Sequence, residues 1–279
     1  MLRIAVPNKG SLSTTAIEML DEAGYATRRD SKQLHLIDSA NDVEFFYLRP
    51  RDIATYVASG ALDVGITGRD LLLDTQQPAE EIEALGFGGS TFRFAGRPGR
   101  FRELEDLAGV RVATSYPGLV QSFLAERGVT VDVVRLDGAV ESAIELGVAD
   151  AVADVVSTGT TLRQAGLEIF GDVLLQSEAV LIRSPKEAAG IDRLVRRLRG
   201  VLVARRYVML DFDLPQNLID QAAEIAPGKE SPTISPLRDL DWVAVRVMLE
   251  RRSINRVMDE LYELGARALL VTEINNARL

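Results

Sequence analysis

Two stretches of this chain follow one plan. Gly60-Ala-Leu-Asp-Val-Gly-Ile-Thr-Gly-Arg-Asp70 and Gly147-Val-Ala-Asp-Ala-Val-Ala-Asp154-Val-Val-Ser-Thr-Gly159 each begin where a helix stops at glycine. Leu or Ala and then Asp follow, a short apolar strand comes next, and a Thr-Gly turn closes the unit. A solenoid needs three or more repeats to bury a continuous core, so two copies argue for two similar lobes.

The second copy carries the sharper chemistry. A strand over residues 151–156 runs into Ser157-Thr158-Gly159-Thr160-Thr161, and a new helix begins near Leu162. A strand that turns into a helix through glycine and small hydroxyl residues points several backbone N–H groups at one spot. Those groups and the helix dipole suit a phosphate. Asp154, just before the loop, is placed to accept hydrogen bonds from sugar hydroxyls, so the arrangement suits a sugar phosphate. The lysine and spacing of a nucleoside-triphosphatase P-loop are missing. Ser157, Thr158 and Thr160 also suit plain turn formation and an N-cap, and shape alone does not separate the two readings.

Composition narrows the field. The 279 residues allow two or three domains, and 47% hydrophobic with 26% charged residues is a globular balance. A net charge of −9 disfavours nucleic acid and acidic membranes as partners, so a polyanionic substrate needs a locally basic pocket. The chain has no cysteine, which removes disulfides, thiolate metal sites and a cysteine nucleophile, and fits a reducing cytoplasm, the expected location. The single histidine, His35, lies in an alternating Leu34-His35-Leu36-Ile37 segment and reads as a solvent-side strand residue. Zinc chemistry and a serine–histidine triad are disfavoured. Neither a signal peptide nor a membrane span is expected.

Along the chain, residues 2–6 read as a buried strand followed by the turn Pro7-Asn8-Lys9-Gly10, with Ser11 or Ser13 capping a helix to Ala23. Lys9 thus falls at the carboxyl end of the first strand, the edge where open α/β sheets bind ligands. Strands at 34–37 and 43–48 lead into Arg49-Pro50-Arg51 and a helix over 52–59. The glycine-rich 86–89 segment and a strand at 91–95 read as a crossing to the second lobe. That lobe has strands at 110–113, 130–136 and 167–170 and a helix over 139–146, and an apolar strand at 179–183 returns the chain to the first. A long helix over 191–204 follows. This is the plan of an α/β, two-lobed, periplasmic-binding-protein-like type II fold with its ligand in the cleft. The tail, with strands at 207–213, 231–234, 242–250 and 268–274 and helices at 215–225 and 253–264, has the βαββαβ order of a ferredoxin-like module. The expected domains are residues 1–90 with 180–205 as lobe I, 91–179 as lobe II, and 206–279 as a C-terminal ferredoxin-like (ACT-like) regulatory domain.

Glu141, Gly147, Ala149, Val152, Asp154 and Thr158-Gly159-Thr160-Thr161-Leu162 together resemble the signature of the ATP phosphoribosyltransferase family, long form. The resemblance covers the whole chain. It implies transfer of the 5-phosphoribosyl group from phosphoribosyl pyrophosphate to N1 of ATP, the first committed step of histidine biosynthesis, with magnesium carried mainly by the pyrophosphate. It implies that Ser157, Thr158, Gly159, Thr160 and Thr161 hold the 5′-phosphate and Asp154 the ribose hydroxyls. Lys9 and Arg49 would meet the pyrophosphate or its magnesium, and Asp70 with Leu71 would border the adenine nucleotide. Glu141 belongs to the motif and serves either the ribose or the fold. The family's regulatory domain binds histidine as a feedback inhibitor, for which Asp213, Thr233, Ser231 and Ala268 are the candidates, and its members form dimers and hexamers. For Asp213 and Thr233 ordinary turn and cap chemistry is the competing reading.

Two alternatives remain at this level. Thr91-Phe92-Arg93 matches the Thr-Arg-Phe trio of prephenate dehydratase in composition, but in a different order and at the first crossing rather than beside the tail. A two-lobed solute-binding or sensing protein would need an export signal or a helix-turn-helix ahead of the lobes, and the chain opens directly on strand one.

Overall fold

A computed structural model describes residues 1–27, 30, 32–156 and 160–278. The chain separates into two compact units, Met1–Asp21 with Tyr25–Asp192, and Glu22–Gly24 with Arg193–Leu279. In the first, the path begins β1 (Leu2–Pro7), α1 (Ser11–Glu22), β2 (His35–Asp38), β3 (Val43–Leu48), α2 (Pro50–Ala58), β4 (Val64–Gly68), α3 (Arg69–Thr75) and β5 (Glu80–Ala84). It continues β6 (Ser90–Gly96), β7 (Arg111–Thr114), α4 (Pro117–Ala125), β8 (Asp132–Arg135), α5 (Ser142–Glu145), β9 (Ala151–Val156), α6 (Thr160–Gln164), β10 (Glu168–Ser177) and β11 (Ala179–Arg183).

These strands form two sheets of one design. The first is ordered β2-β3-β1-β4-β11-β5 and the second β10-β6-β9-β7-β8. In each, three strands run parallel (β3-β1-β4 and β8-β7-β9), then a strand arriving from the other lobe pairs antiparallel (β11 and β6), and a last strand closes the edge (β5 and β10). The two echoed strands, β4 and β9, hold the same place in their sheets. Strands covered on both faces must be apolar almost throughout, and β4 is buried at every position. Gly65 within it has no room for a side chain: a Cβ would sit 2.5 Å from Ile53 Cγ2 of α2. In the second lobe Phe94, Phe101 and Phe170 stack at centroid distances of 6.0 and 5.2 Å to fill the core beside β6.

The two crossings run side by side. Leu85 N–H donates to Ala179 O and Ala179 N–H to Phe87 O, each at 2.9 Å, and Gly86 N–H donates to the Glu178 carboxylate at 3.0 Å.

The second unit contains α7 (Ile191–Arg206, from Arg193 onward), β12 (Tyr207–Pro215), α8 (Ile219–Ile225), β13 (Thr233–Pro236), β14 (Trp242–Glu250), α9 (Ile254–Leu264) and β15 (Arg267–Glu273). Its sheet is ordered β13-β14-β12-β15 with every neighbour antiparallel. That is the ferredoxin-like arrangement of a βαββαβ chain. Alternation along β12 and β14 sends Leu210, Phe212, Leu214, Val243, Val245 and Val247 to a core with α8 and α9. Asp211, Asp213, Ala244 and Arg246 lie on the other face.

Several local expectations change. β5 is not among the strands expected from the sequence; Arg183 and Arg69 neutralise its Glu80 and Glu81 at 2.6 and 2.7 Å. β10 runs on to Ser177 through a register shift between Phe170 and Leu175. The helix before Gly147 shrinks to Ser142–Glu145, since Gly138 and Ala139 adopt φ of 145° and 46°. Pro215 ends a strand rather than opening a helix. Ser253 donates to Glu250 O at 3.0 Å instead of capping α9. Among the described residues no helix is long and apolar enough to cross a membrane.

Candidate active site

The carboxyl ends of the parallel strands in the two lobes converge on a cavity of 490 Å³, lined by Lys9, Asp70, Leu71, Tyr116, Val155 and Ser177 among others. Lys9 gets there because β1 ends at Pro7, whose carbonyl accepts a buried hydrogen bond of 2.8 Å from Ser13 Oγ, and Gly10 turns the chain with φ of 80°. Asp70 and Leu71 lie in the first turn of α3, directly after β4, and both are buried.

Asp70 is fixed from three sides. Its N–H donates to Ser177 Oγ at 3.0 Å, and Ser177 Oγ donates to Asp70 Oδ1 at 2.7 Å. Gly68 leaves space for that carboxylate, since a Cβ there would lie 2.3 Å from Asp70 Oδ1. Across the cleft the Tyr116 phenol lies close to the Asp70 carboxylate; burial and the Asp70 charge push it far above its ordinary range, so it stays protonated. The Arg51 guanidinium lies 4.9 Å from the Tyr116 ring centroid, and Phe92 meets the ring edge-on at 5.2 Å.

Asp154, in β9 beside Val155, accepts the Val155 N–H at 2.7 Å. Burial raises its carboxyl above the usual aspartate range, and the charges of Glu141 and Asp70 add to the rise while Arg51 opposes it. These couplings place a carboxylate of each lobe within electrostatic reach of the other.

The remaining expected residues divide. Ser157, Thr158 and Gly159 lie outside the described residues. Thr160 and Thr161 open α6, both exposed, with Leu162 buried behind them. Arg49 is exposed at the start of α2, its side chain making no cap bond, and does not line the cavity. Glu141 precedes α5 and borders a separate hollow of 580 Å³ with Arg97 and Gln164. Sequence reasoning missed Tyr116, Arg51 and Ser177. Arg51 stood beside Arg49 and Pro50, and that pairing of cations after a strand was the available signal.

On the second unit, Asp213, Thr233 and Ala268 line one hollow of 400 Å³ on the sheet face away from α8 and α9, with Ser235 and Arg246. Ser231 does not line it. Asp213 stands within β12 opposite Ala244 rather than at a strand end, and Thr233 begins β13, because β14 pairs with both strands. Ala268 takes φ of 51°, beside the register shift between Asp211 and Asp213. Arg246 is held by Asp211 at 2.6 Å.

Thr91-Phe92-Arg93 forms no catalytic trio. Thr91 Oγ1 donates to Val156 O at 3.0 Å, Phe92 is buried in the core, and the Arg93 guanidinium donates to Gly171 O at 2.9 Å.

Residues 49–200 match the family model for ATP phosphoribosyltransferase, and residues 204–276 match that for the HisG C-terminal domain. ATP phosphoribosyltransferases from Pseudarthrobacter chlorophenolicus and Streptomyces avermitilis are 62% and 60% identical, each alignment covering all of both chains. A solved ATP phosphoribosyl transferase (HisG:HisZ) complex from Thermotoga maritima superposes with a TM-score of 0.62 at 27% identity, over 71% of this chain and 97% of that one. With a two-lobed core, a ferredoxin-like tail and full-length relatives of one kind, the chain belongs to the ATP phosphoribosyltransferase family.

Proposed function

We propose that the cleft between the two lobes carries out the family's reaction, the first step of histidine biosynthesis. N1 of the adenine of ATP attacks C1 of phosphoribosyl pyrophosphate; the N1–C1 bond forms as the C1–oxygen bond breaks, and pyrophosphate leaves with the bonding pair. Adenine N1 needs no proton removed before attack, so the task is to hold two polyanions in line and stabilise the leaving group. The observation that carries this reading is the cavity that gathers Lys9, Asp70 and Tyr116 at the carboxyl edges of both lobes.

Within it, Asp70 and Leu71 border the adenine nucleotide, with the Tyr116 face beside them. Lys9 and Arg49 meet the pyrophosphate. Asp154 takes the ribose hydroxyls, and the backbone and hydroxyls of residues 157–161 take the 5′-phosphate. Glu141 acts on the ribose through Asp154 or serves the fold. Among the described residues no three His, Cys, Asp or Glu side chains cluster to hold a metal ion. A magnesium ion keeps several waters and is bound largely by substrate phosphates; the Asp70 and Asp154 carboxylates suit Mg²⁺ arriving with the pyrophosphate, and the ion would neutralise charge developing on the leaving group.

We assign residues 1–90 with 180–205 and residues 91–179 to the two catalytic lobes, and residues 206–279 to regulation. Histidine, the expected feedback inhibitor, would occupy the hollow of Asp213, Thr233 and Ala268, its amine drawn to the Asp213 carboxylate. The working enzyme is a cytoplasmic homo-oligomer, a dimer that becomes a hexamer with inhibitor.

The decisive experiment incubates the protein with ATP, phosphoribosyl pyrophosphate and Mg²⁺ and follows the ultraviolet absorbance of the adduct, with and without histidine. Thr161→Ala should weaken phosphoribosyl pyrophosphate binding far more than ATP binding. An equal loss for both substrates, or no adduct from the wild type, overturns the assignment.

A further inference from the structure

α3 of lobe I and α4 of lobe II meet at one carboxylate. Asp74 Oδ1 accepts the N–H groups of Gly118 and Leu119 at 2.9 and 3.2 Å, which are among the first free amides of α4. Its other oxygen, Oδ2, takes Arg51 Nη1 at 3.0 Å, and the Asp74 side chain is only 9% exposed. A helix start is ordinarily capped by a residue of its own chain segment just before it. Here Tyr116 stands at that position and makes no side-chain cap. The cap comes instead from forty-four residues upstream, in the other lobe.

The surroundings fit this role. Gly118 approaches α3 so closely that a Cβ would lie 2.2 Å from the Asp74 carbonyl oxygen. Gln76 ends α3 in the left-handed region, φ 51°, and donates its side-chain amide to Gly118 O at 3.1 Å and to Ser122 Oγ. The Arg51 held by Asp74 is the one that lies over Tyr116, which reaches back to Asp70. A negative side chain at a helix N-terminus is favoured by the aligned peptide dipoles, and with Asp74 seated there a substrate phosphate is kept away from α4.

We propose that Asp74 is a positioning residue: by capping α4 from the opposite lobe and holding Arg51, it keeps the cleft in the closed arrangement that sets Tyr116 against Asp70. The proposal rests on the reading that this cleft binds both substrates. A protein whose binding-competent form is only partly populated binds with an affinity reduced by that fraction. Loss of the clasp therefore weakens both substrates together and leaves the chemical step little changed once they are bound.

The test uses the full-length protein and needs no background substitutions, because the chain has no cysteine. Spin labels on Thr55→Cys and Ala125→Cys, exposed positions of α2 and α4, report the inter-lobe distance by pulsed electron resonance, while KM and kcat are measured for each substrate in the unlabelled enzyme. Asp74→Ala should lengthen and broaden the substrate-free distance distribution, which saturating substrates restore. It should also raise KM for both substrates about tenfold or more while kcat stays within about threefold. Asp74→Asn keeps an oxygen for the α4 amides and loses the charge on Arg51, so it should fall between; if Asp74→Ala does not fold, Asp74→Asn carries both readouts. Distances indistinguishable from wild type, or KM values that do not move, overturn the proposal. A wild type that makes no adduct would sink the functional reading while leaving the substrate-free distances to judge the clasp.

Discussion

Ser177 and Asp70 exchange two hydrogen bonds, 3.0 Å from the Asp70 N–H to Ser177 Oγ and 2.7 Å from Ser177 Oγ back to Asp70 Oδ1. One residue ends the strand that closes the second lobe's sheet; the other lies in the first turn of the helix that borders the cavity in the first. Ser177→Ala strips a buried carboxylate and a backbone N–H of their partner at once. Such a loss costs about 1–3 kcal/mol. The expected result is a lower melting temperature together with a raised KM for ATP, read by thermal denaturation and steady-state kinetics.

Gly118→Ala tests the close approach of α3 and α4 without touching a charge. The new methyl would meet a backbone oxygen, which cannot swing aside as a side chain can. Overpacking of this kind costs about 1–3 kcal/mol, and relief by separation of the lobes should weaken both substrates together. Isothermal titration with each substrate separates that outcome from a loss confined to one.

Asp154 gives a pH signature. Its carboxyl is raised in the folded chain, chiefly by burial, with Glu141 and Asp70 adding to it. The folded state therefore prefers the protonated form, and stability from this group is full below the ordinary aspartate value of 3.8 and declines as pH climbs through the raised folded value. Asp154→Asn should melt higher than wild type at neutral pH, with the gap narrowing as pH falls toward 4, while losing affinity for phosphoribosyl pyrophosphate. Melting curves between about pH 4 and 8 measure the gap; a constant difference would show that charge is not its origin.

In the second unit, Asp213→Ala should raise the histidine concentration needed for half inhibition. A hydrogen bond to a charged group contributes about 1.5–3 kcal/mol, which corresponds to roughly tenfold or more in affinity. Inhibition curves with histidine provide the measurement, and an unchanged midpoint would move the effector elsewhere.

The lobes were legible from Gly60–Asp70 and Gly147–Gly159 because a buried parallel strand must be apolar and its following turn needs glycine, both local demands. Lys9 followed from the same logic, as a residue at the carboxyl end of a strand, and Asp70 was reached through the family resemblance. Tyr116, Asp74 and Ser177 were not legible. Their partners lie in the other lobe, and nothing in a local window distinguishes Asp74 from any acid near a helix end. β5 hid for a related reason: the charged Glu80-Glu81-Ile82-Glu83 run gives no strand pattern, and Arg69 and Arg183, supplied from elsewhere, neutralise two of its acids.

The paired crossings at Leu85–Phe87 and Glu178–Ala179 have a mechanical meaning. A single strap leaves two bodies free to twist and slide, whereas two straps stitched side by side by backbone hydrogen bonds restrict both. A small angle at that seam therefore becomes a larger displacement at the cavity that Lys9 and Val155 both line.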